Sequence, residues 1–129
     1  MPVEKLSNLG EFNSTIQTGT TLVDFYADWC GPCKKIAPFL EDLSTKYPDV
    51  KFRKVNVDEA QDIASSLGIR SMPTFHVYVH GTKKDELIGA NPSKLELLVT
   101  NNRSDVFGSN NGGNRLGGIA PGTQWDGVG

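Results

Sequence analysis

This 129-residue chain predicts an α/β fold with a mixed central β-sheet and helices on both faces. Three observations carry that expectation. Strand and helix patterns alternate from Val3 to Leu67, an order that favours parallel strands joined through helices. The next two strand patterns, Thr74 to Val79 and Asp85 to Ile88, are separated by only a tight turn, and so short a connection joins antiparallel neighbours. Between the second strand and the second helix stands Trp29-Cys30-Gly31-Pro32-Cys33-Lys34, which holds the only two cysteines of the chain.

The elements follow in order. Val3 to Leu6 reads as a short strand. Ser7 or Asn8 can cap a helix with Leu9, Phe12 and Ile16 at i, i+3 and i+7, which Gly19 ends. Leu22 to Ala27 is almost wholly apolar, as a central strand covered on both faces must be. The helix from Cys33 to Tyr47 sets Ile36, Phe39, Leu40 and Leu43 on one stripe. Pro38 inside it removes one backbone hydrogen bond and predicts a kink. Pro48-Asp49 marks a turn. Lys51 to Val57 partly alternates, with Phe52, Val55 and Val57 apolar, and reads as a strand. Asp58 is placed to cap a helix from Glu59 to Leu67, closed by Gly68. After the two antiparallel strands around Gly81, a last helix begins near Asn91-Pro92, with proline at its first position and Leu95, Leu98 and Val99 on its buried face.

Beyond Asn102 the composition changes. Eight of the fourteen glycines fall after residue 107, and no helical or strand period is visible there. Such a segment cannot bury enough surface to offset its ordering entropy. We therefore divide the chain into a domain at 1–102 and a Gly/Asn-rich tail at 103–129, expected to be disordered. A formal net charge of −2 gives no polyanion-binding character. No apolar run is long enough to span a membrane. The start, Met1-Pro2-Val3-Glu4-Lys5, lacks the basic-then-apolar form of a secretory signal, and the expected location is the cytoplasm, with the nucleus open to a chain this small.

The chemistry lies in the cysteines. Two thiols at i and i+3, where a strand gives way to a helix, can close a disulfide across one turn. The helix N-terminus stabilises a thiolate at Cys30, which can attack a disulfide of another protein. Cys33, one turn further in, can then attack the mixed disulfide and release the product. Two buried structural cysteines are the plainer alternative. A zinc half-site is another, but its two missing ligands would have to be His76 and His80, which read as partly exposed residues on a strand edge. Asp24 is the only charge in its strand. Buried, it would have a raised pKa and could accept the Cys33 proton through water; at a strand end it would simply be solvated. Pro32 supplies no N–H to the Cys30 thiolate, and a less stabilised thiolate favours the oxidised form, making the protein a reductant of others.

This series, with Val23-Asp24-Phe25, Pro38, Lys54-Val55-Asn56-Val57-Asp58, Ser71-Met72-Pro73-Thr74-Phe75, Gly81 and Gly89-Ala90 at their separations, resembles the thioredoxin family from Val3 to Asn102. The resemblance implies the thioredoxin fold and a dithiol–disulfide oxidoreductase that reduces disulfides in other proteins and contributes to cytosolic redox homeostasis. It implies that Asp24 is the proton acceptor and that Lys54 tunes it. It implies a cis peptide before Pro73, where sequence alone favours trans, so that the backbone of Met72 can pair with an extended substrate. Trp29, Gly31, Pro32, Met72, Pro73, Ile88, Gly89 and Ala90 resemble the family's apolar docking collar. No bound cofactor or metal is implied. Electrons would come from NADPH through a flavin-containing thioredoxin reductase, with that reductase and disulfide-bearing proteins as partners of a monomer that binds neither nucleic acid nor membrane. Motifs with His at the Pro32 position resemble disulfide isomerases instead. A targeting module of a larger protein is the rival from another class.

Overall fold

Alternation along one strand organises the molecule. The structure, a computed structural model, describes residues 3–103. In β2 (Thr20–Tyr26) every residue but the last is buried. Its side chains point to opposite faces in turn. Leu22 joins a core with Ile36, Leu40 and Leu43 of α2 (Gly31–Lys46) and Leu95, Leu98 and Val99 of α4 (Pro92–Asn102). Val23 and Phe25 join a second core with Phe12 and Ile16 of α1 (Leu9–Ile16) and Ile63 of α3 (Gln61–Leu67). Helices therefore cover both faces of the sheet, as the sequence predicts.

The remaining strands are β1 (Val3–Lys5), β3 (Val50–Asn56), β4 (Thr74–Val79) and β5 (Thr82–Ile88), and the sheet order is β1-β3-β2-β4-β5. β3 pairs in parallel with β1 and β2, while β4 runs antiparallel to β2 and β5. β2 is thus central, and its carboxyl end delivers the chain to the cysteine motif.

Local chemistry sets the element ends. Asn8 caps α1, its Oδ1 accepting from Glu11 N–H at 2.9 Å. Asn91 does the same for Lys94 N–H at 3.0 Å at the start of α4. Gly68 closes α3 at φ 67°, a left-handed conformation that costs glycine nothing. α2 begins at Gly31, two residues before the expected Cys33, because Pro32 suits a first helical turn where its missing N–H has no partner to lose. β5 starts at Thr82 instead of Asp85. Its outer residues are polar and exposed, as an edge strand allows, and so carry no alternating signal.

Two expectations are corrected. α3 starts at Gln61, not Glu59, and Asp58 does not cap it. Asn56 Oδ1 instead accepts from Asp58 N–H at 2.9 Å and Glu59 N–H at 3.3 Å, folding a turn ahead of the helix. His76 and His80 are not a partly exposed pair on an edge. β4 is an interior strand, and His76 is 3% exposed on it. His80 lies past its end, exposed in the turn, at φ 47°. His76 Nδ1 lies 2.9 Å from the Tyr78 hydroxyl and Nε2 3.3 Å from Glu86 Oε1. Burial, helped by Lys83 and opposed by Glu86, lowers its pKa to about 4. A neutral ring accepting from Tyr78 and donating to Glu86 satisfies both nitrogens.

At the end of the described chain, Arg103 grips Asp49 with two bonds of 3.0 Å, Nε to Oδ2 and Nη2 to Oδ1, and its guanidinium lies 4.9 Å from the Tyr47 ring centre. The expectation of a disordered tail falls, from residue 104 on, outside the described residues. Among the described residues no helix is long and apolar enough to cross a membrane.

Candidate active site

The site is assembled at the carboxyl end of β2. Cys30 is the N-cap of α2, and Cys33 lies one turn in. The pair is joined as a disulfide with Cα atoms 5.3 Å apart. Cys33 N–H donates to Cys30 Sγ at 3.2 Å. That N–H is one of the unpaired donors of a helix start, directed at the sulfur where a thiolate would form. Both cysteines are 4% exposed and pack with Ala27 against Tyr26, Val57 and Met72.

Asp24 lies two residues before Tyr26, on the same face of the sheet as Leu22, in register with Lys54 on β3. It is 4% exposed, and its Oδ1 has no hydrogen-bond partner among the described residues. Burial raises its pKa to about 7, against the opposing pull of Lys54. A cleft of about 140 Å³ is lined by Asp24, Tyr26, Ala27, Asp28, Cys33, Lys34, Ala37 and Lys54. It puts carboxylate and Cys33 on one passage wide enough for water, with four charged side chains in its lining. Lys54 Nζ lies 5.8 Å from the ring centre of Tyr26, another residue of this lining.

The Met72-Pro73 bond is cis. Gly89 N–H donates to Pro73 O at 2.9 Å, so β5 fastens the loop that carries this bond. Met72 reaches the cysteines from this loop. Gly31, Pro32 and Ala90 line a second, mainly apolar cleft of about 280 Å³ together with Lys35, Ile36 and Pro92. Trp29 is 68% exposed beside the pair. Of the expected collar, only Gly31, Pro32 and Ala90 line this cleft, and Ile88 is 60% exposed outside it. It lines a different one, with Arg70, Ser71, Thr74, His76 and Glu86, on the side of β5.

Sequence reasoning missed the fixing of Trp29. Its indole Nε1 donates to Asp58 Oδ2 at 3.0 Å. Asn56 orders the turn that carries Asp58, and its Nδ2 donates to Asp28 Oδ1 at 3.3 Å. The available signal was the pair of polar residues Asn56 and Asp58 leaving β3, the strand beside β2. Among the described residues no group of three or more His, Cys, Asp or Glu side chains could hold a metal ion.

Comparison with known proteins gives the arrangement a family. The Thioredoxin family model matches residues 3–101. A thioredoxin of Coprinus comatus is 51% identical over 100 residues, covering 75% of this chain and 94% of that one. The solved structure of Plasmodium falciparum thioredoxin superposes with a TM-score of 0.74 at 44% identity, over 76% of this chain and 97% of the other. A chain from a study of the thiol resolving mechanism in yeast mitochondrial 1-Cys peroxiredoxin via glutathione/thioredoxin systems does so at 0.74 and 43%, over 77% and 94%. The chain belongs to the thioredoxin family, and Cys30 and Cys33 are the redox pair of a thioredoxin-type protein-disulfide reductase.

Proposed function

We propose that Cys30 is the attacking thiol, Cys33 the resolving thiol and Asp24 the acceptor of the Cys33 proton. The observation that carries this reading is the bond from Cys33 N–H to Cys30 Sγ at the start of α2, which supports Cys30 as the thiolate. In the reduced protein the Cys30 thiolate attacks one sulfur of a substrate disulfide. A mixed disulfide forms, and the other substrate sulfur leaves as a thiolate. Asp24 takes the proton of Cys33 along the shared cleft, and the Cys33 thiolate attacks Cys30 Sγ. The Cys30–Cys33 bond forms, and the second substrate sulfur is released. Two electrons pass to the substrate. Lys54, across the sheet from Asp24, holds the carboxylate toward its ionised form and so tunes the transfer.

The extended substrate segment lies along Trp29, Gly31, Pro32, Ala90 and the cis-Pro73 loop, pairing with the backbone of Met72. Gly89 holds that loop, and Ile88 extends the apolar surface beyond it. Pro32 supports the reducing direction over isomerase or oxidase work, since it offers the thiolate no N–H. The family is typically free of bound cofactor and reduced by thioredoxin reductase. We assign the same donor here, with NADPH as electron source, and a cytoplasmic location for a monomer, because a dithiol reductant needs a reducing compartment. Insulin reduction is the test, run once with dithiothreitol and once with thioredoxin reductase and NADPH. Turnover with both donors is expected. Turnover with neither overturns the reading, and turnover with dithiothreitol alone overturns the assigned donor.

A further inference from the structure

The two clefts beside the cysteines differ in charge, and successive residues of α2 mark the difference. Lys34 lines the passage that also holds the charged side chains of Asp24, Asp28 and Lys54. Lys35, one residue and about 100° further round the helix, lines the other cleft. There it is the only charged side chain, against walls of Gly31, Pro32, Ile36, Ala90 and Pro92. Among the described residues it enters no ion pair. Neither helix that borders the cleft has an acidic residue in its first turn to neutralise it. Of the carboxylates near the pair, Asp58 is engaged by Trp29, Asp28 by Asn56, and Asp24 is buried in the other cleft. The result is an apolar trough of about 280 Å³ with a single uncompensated cation, starting one residue from Cys30.

We propose that Lys35 is a specificity-determining residue that favours substrate segments with an Asp or Glu close to the attacked cysteine. This rests on the reading above that the extended substrate lies along Gly31, Pro32 and Ala90. An extended chain advances about 3.3 Å per residue. A segment whose cysteine is joined to Cys30 therefore presents to the trough a side chain two or three residues away. The apolar walls take the aliphatic part of that side chain, and the ammonium group takes a carboxylate. A lysine in the same place would face a like charge over the same apolar walls. Selection by charge at a partly exposed site acts on encounter as well as on the bound state, and it weakens with salt.

The test uses the reduced full-length chain and two pairs of disulfide-bonded peptides; the members of a pair are identical except for Glu or Lys, placed two residues from the cysteine in one pair and three in the other. The readout is the ratio of their second-order reduction rates within each protein, which cancels any general loss of activity in a variant. In the wild type at low salt, Glu is expected to be favoured about two- to fivefold, the size of an exposed ion pair. Lys35→Glu reverses the preference, Lys35→Met brings it between the two, and about 1 M salt compresses all three ratios toward one another. A ratio that Lys35→Glu leaves unchanged in both pairs, two and three residues from the cysteine, overturns the proposal while leaving disulfide exchange at Cys30 intact. A ratio that changes but ignores salt also overturns it, because the effect would not be electrostatic. Failure of the wild type to reduce any of the peptides overturns the underlying reading as well.

Discussion

Asp24 carries the heaviest cost of any single residue in the site. A carboxyl 4% exposed, with one oxygen unpartnered, prefers to be neutral, and its pKa of about 7 lies far above the ordinary carboxylate value of 3.8. For an acid whose pKa is raised by folding, the native state binds the proton more tightly than the unfolded chain. Stability is therefore fullest below about pH 4 and is lost as pH rises toward 7. Asn at this position removes the ionisation and keeps the shape. Asp24→Asn is expected to change stability little near pH 4 and to raise it by as much as about 4 kcal/mol above pH 7, from the size of the shift. It is also expected to slow the resolving step. Urea unfolding of the oxidised proteins at pH 4 and pH 8 checks the first, and a stabilisation that does not grow with pH would show Asp24 not to be a buried acid. His76 acts in the opposite sense. Its pKa is lowered to about 4 by burial, so its contribution is lost as pH falls from about 6.5 toward 4. Comparing Asp24→Asn with the wild type at each pH removes that common background. The charge of Asp24 was readable in the sequence because it interrupts an apolar strand. The burial of His76 was not, because an interior strand is told from an edge strand only by the order β1-β3-β2-β4-β5.

Among the elements, those with their own punctuation were legible. β4 and α4 fall where alternation, Gly81, Asn91 and Pro92 place them. α3 was misjudged because its leading turn is held by a side chain from the preceding strand and not by a cap inside the helix. Asn56 is 2% exposed and serves three partners, the N–H groups of Asp58 and Glu59 and the carboxylate of Asp28. It thereby sets the position of Asp58, which holds the Trp29 indole. Asn56→Ala leaves the Asp58 N–H without its acceptor in a part-buried turn, whereas the Glu59 N–H keeps the Asn56 backbone carbonyl at 3.1 Å. The expected loss is about 1–3 kcal/mol, accompanied by a change in Trp29 fluorescence. A loss under about 0.5 kcal/mol, within the range of an ordinary surface change, would show that this turn does not depend on Asn56.

Over the whole molecule, the fold and the cysteine chemistry were readable together, because both depend on one strand-to-helix junction. The trough beside Pro32 was only half readable. Gly31, Pro32 and Ala90 were visible in motifs, but Lys35 and Pro92 join them because α2 and α4 start side by side, which no local pattern records. The architecture places Cys30 at a helix cap and Cys33 beside the Asp24 passage, so the two thiols are not interchangeable. Trapping tests that asymmetry most directly. Reduced Cys33→Ser is mixed with a disulfide-bonded protein substrate, and the product is mapped by mass spectrometry. The account predicts a stable mixed disulfide on Cys30, and neither adduct nor insulin reduction with Cys30→Ser. A stable adduct on Cys33 in the Cys30→Ser protein, together with none on Cys30 in the Cys33→Ser protein, would contradict it.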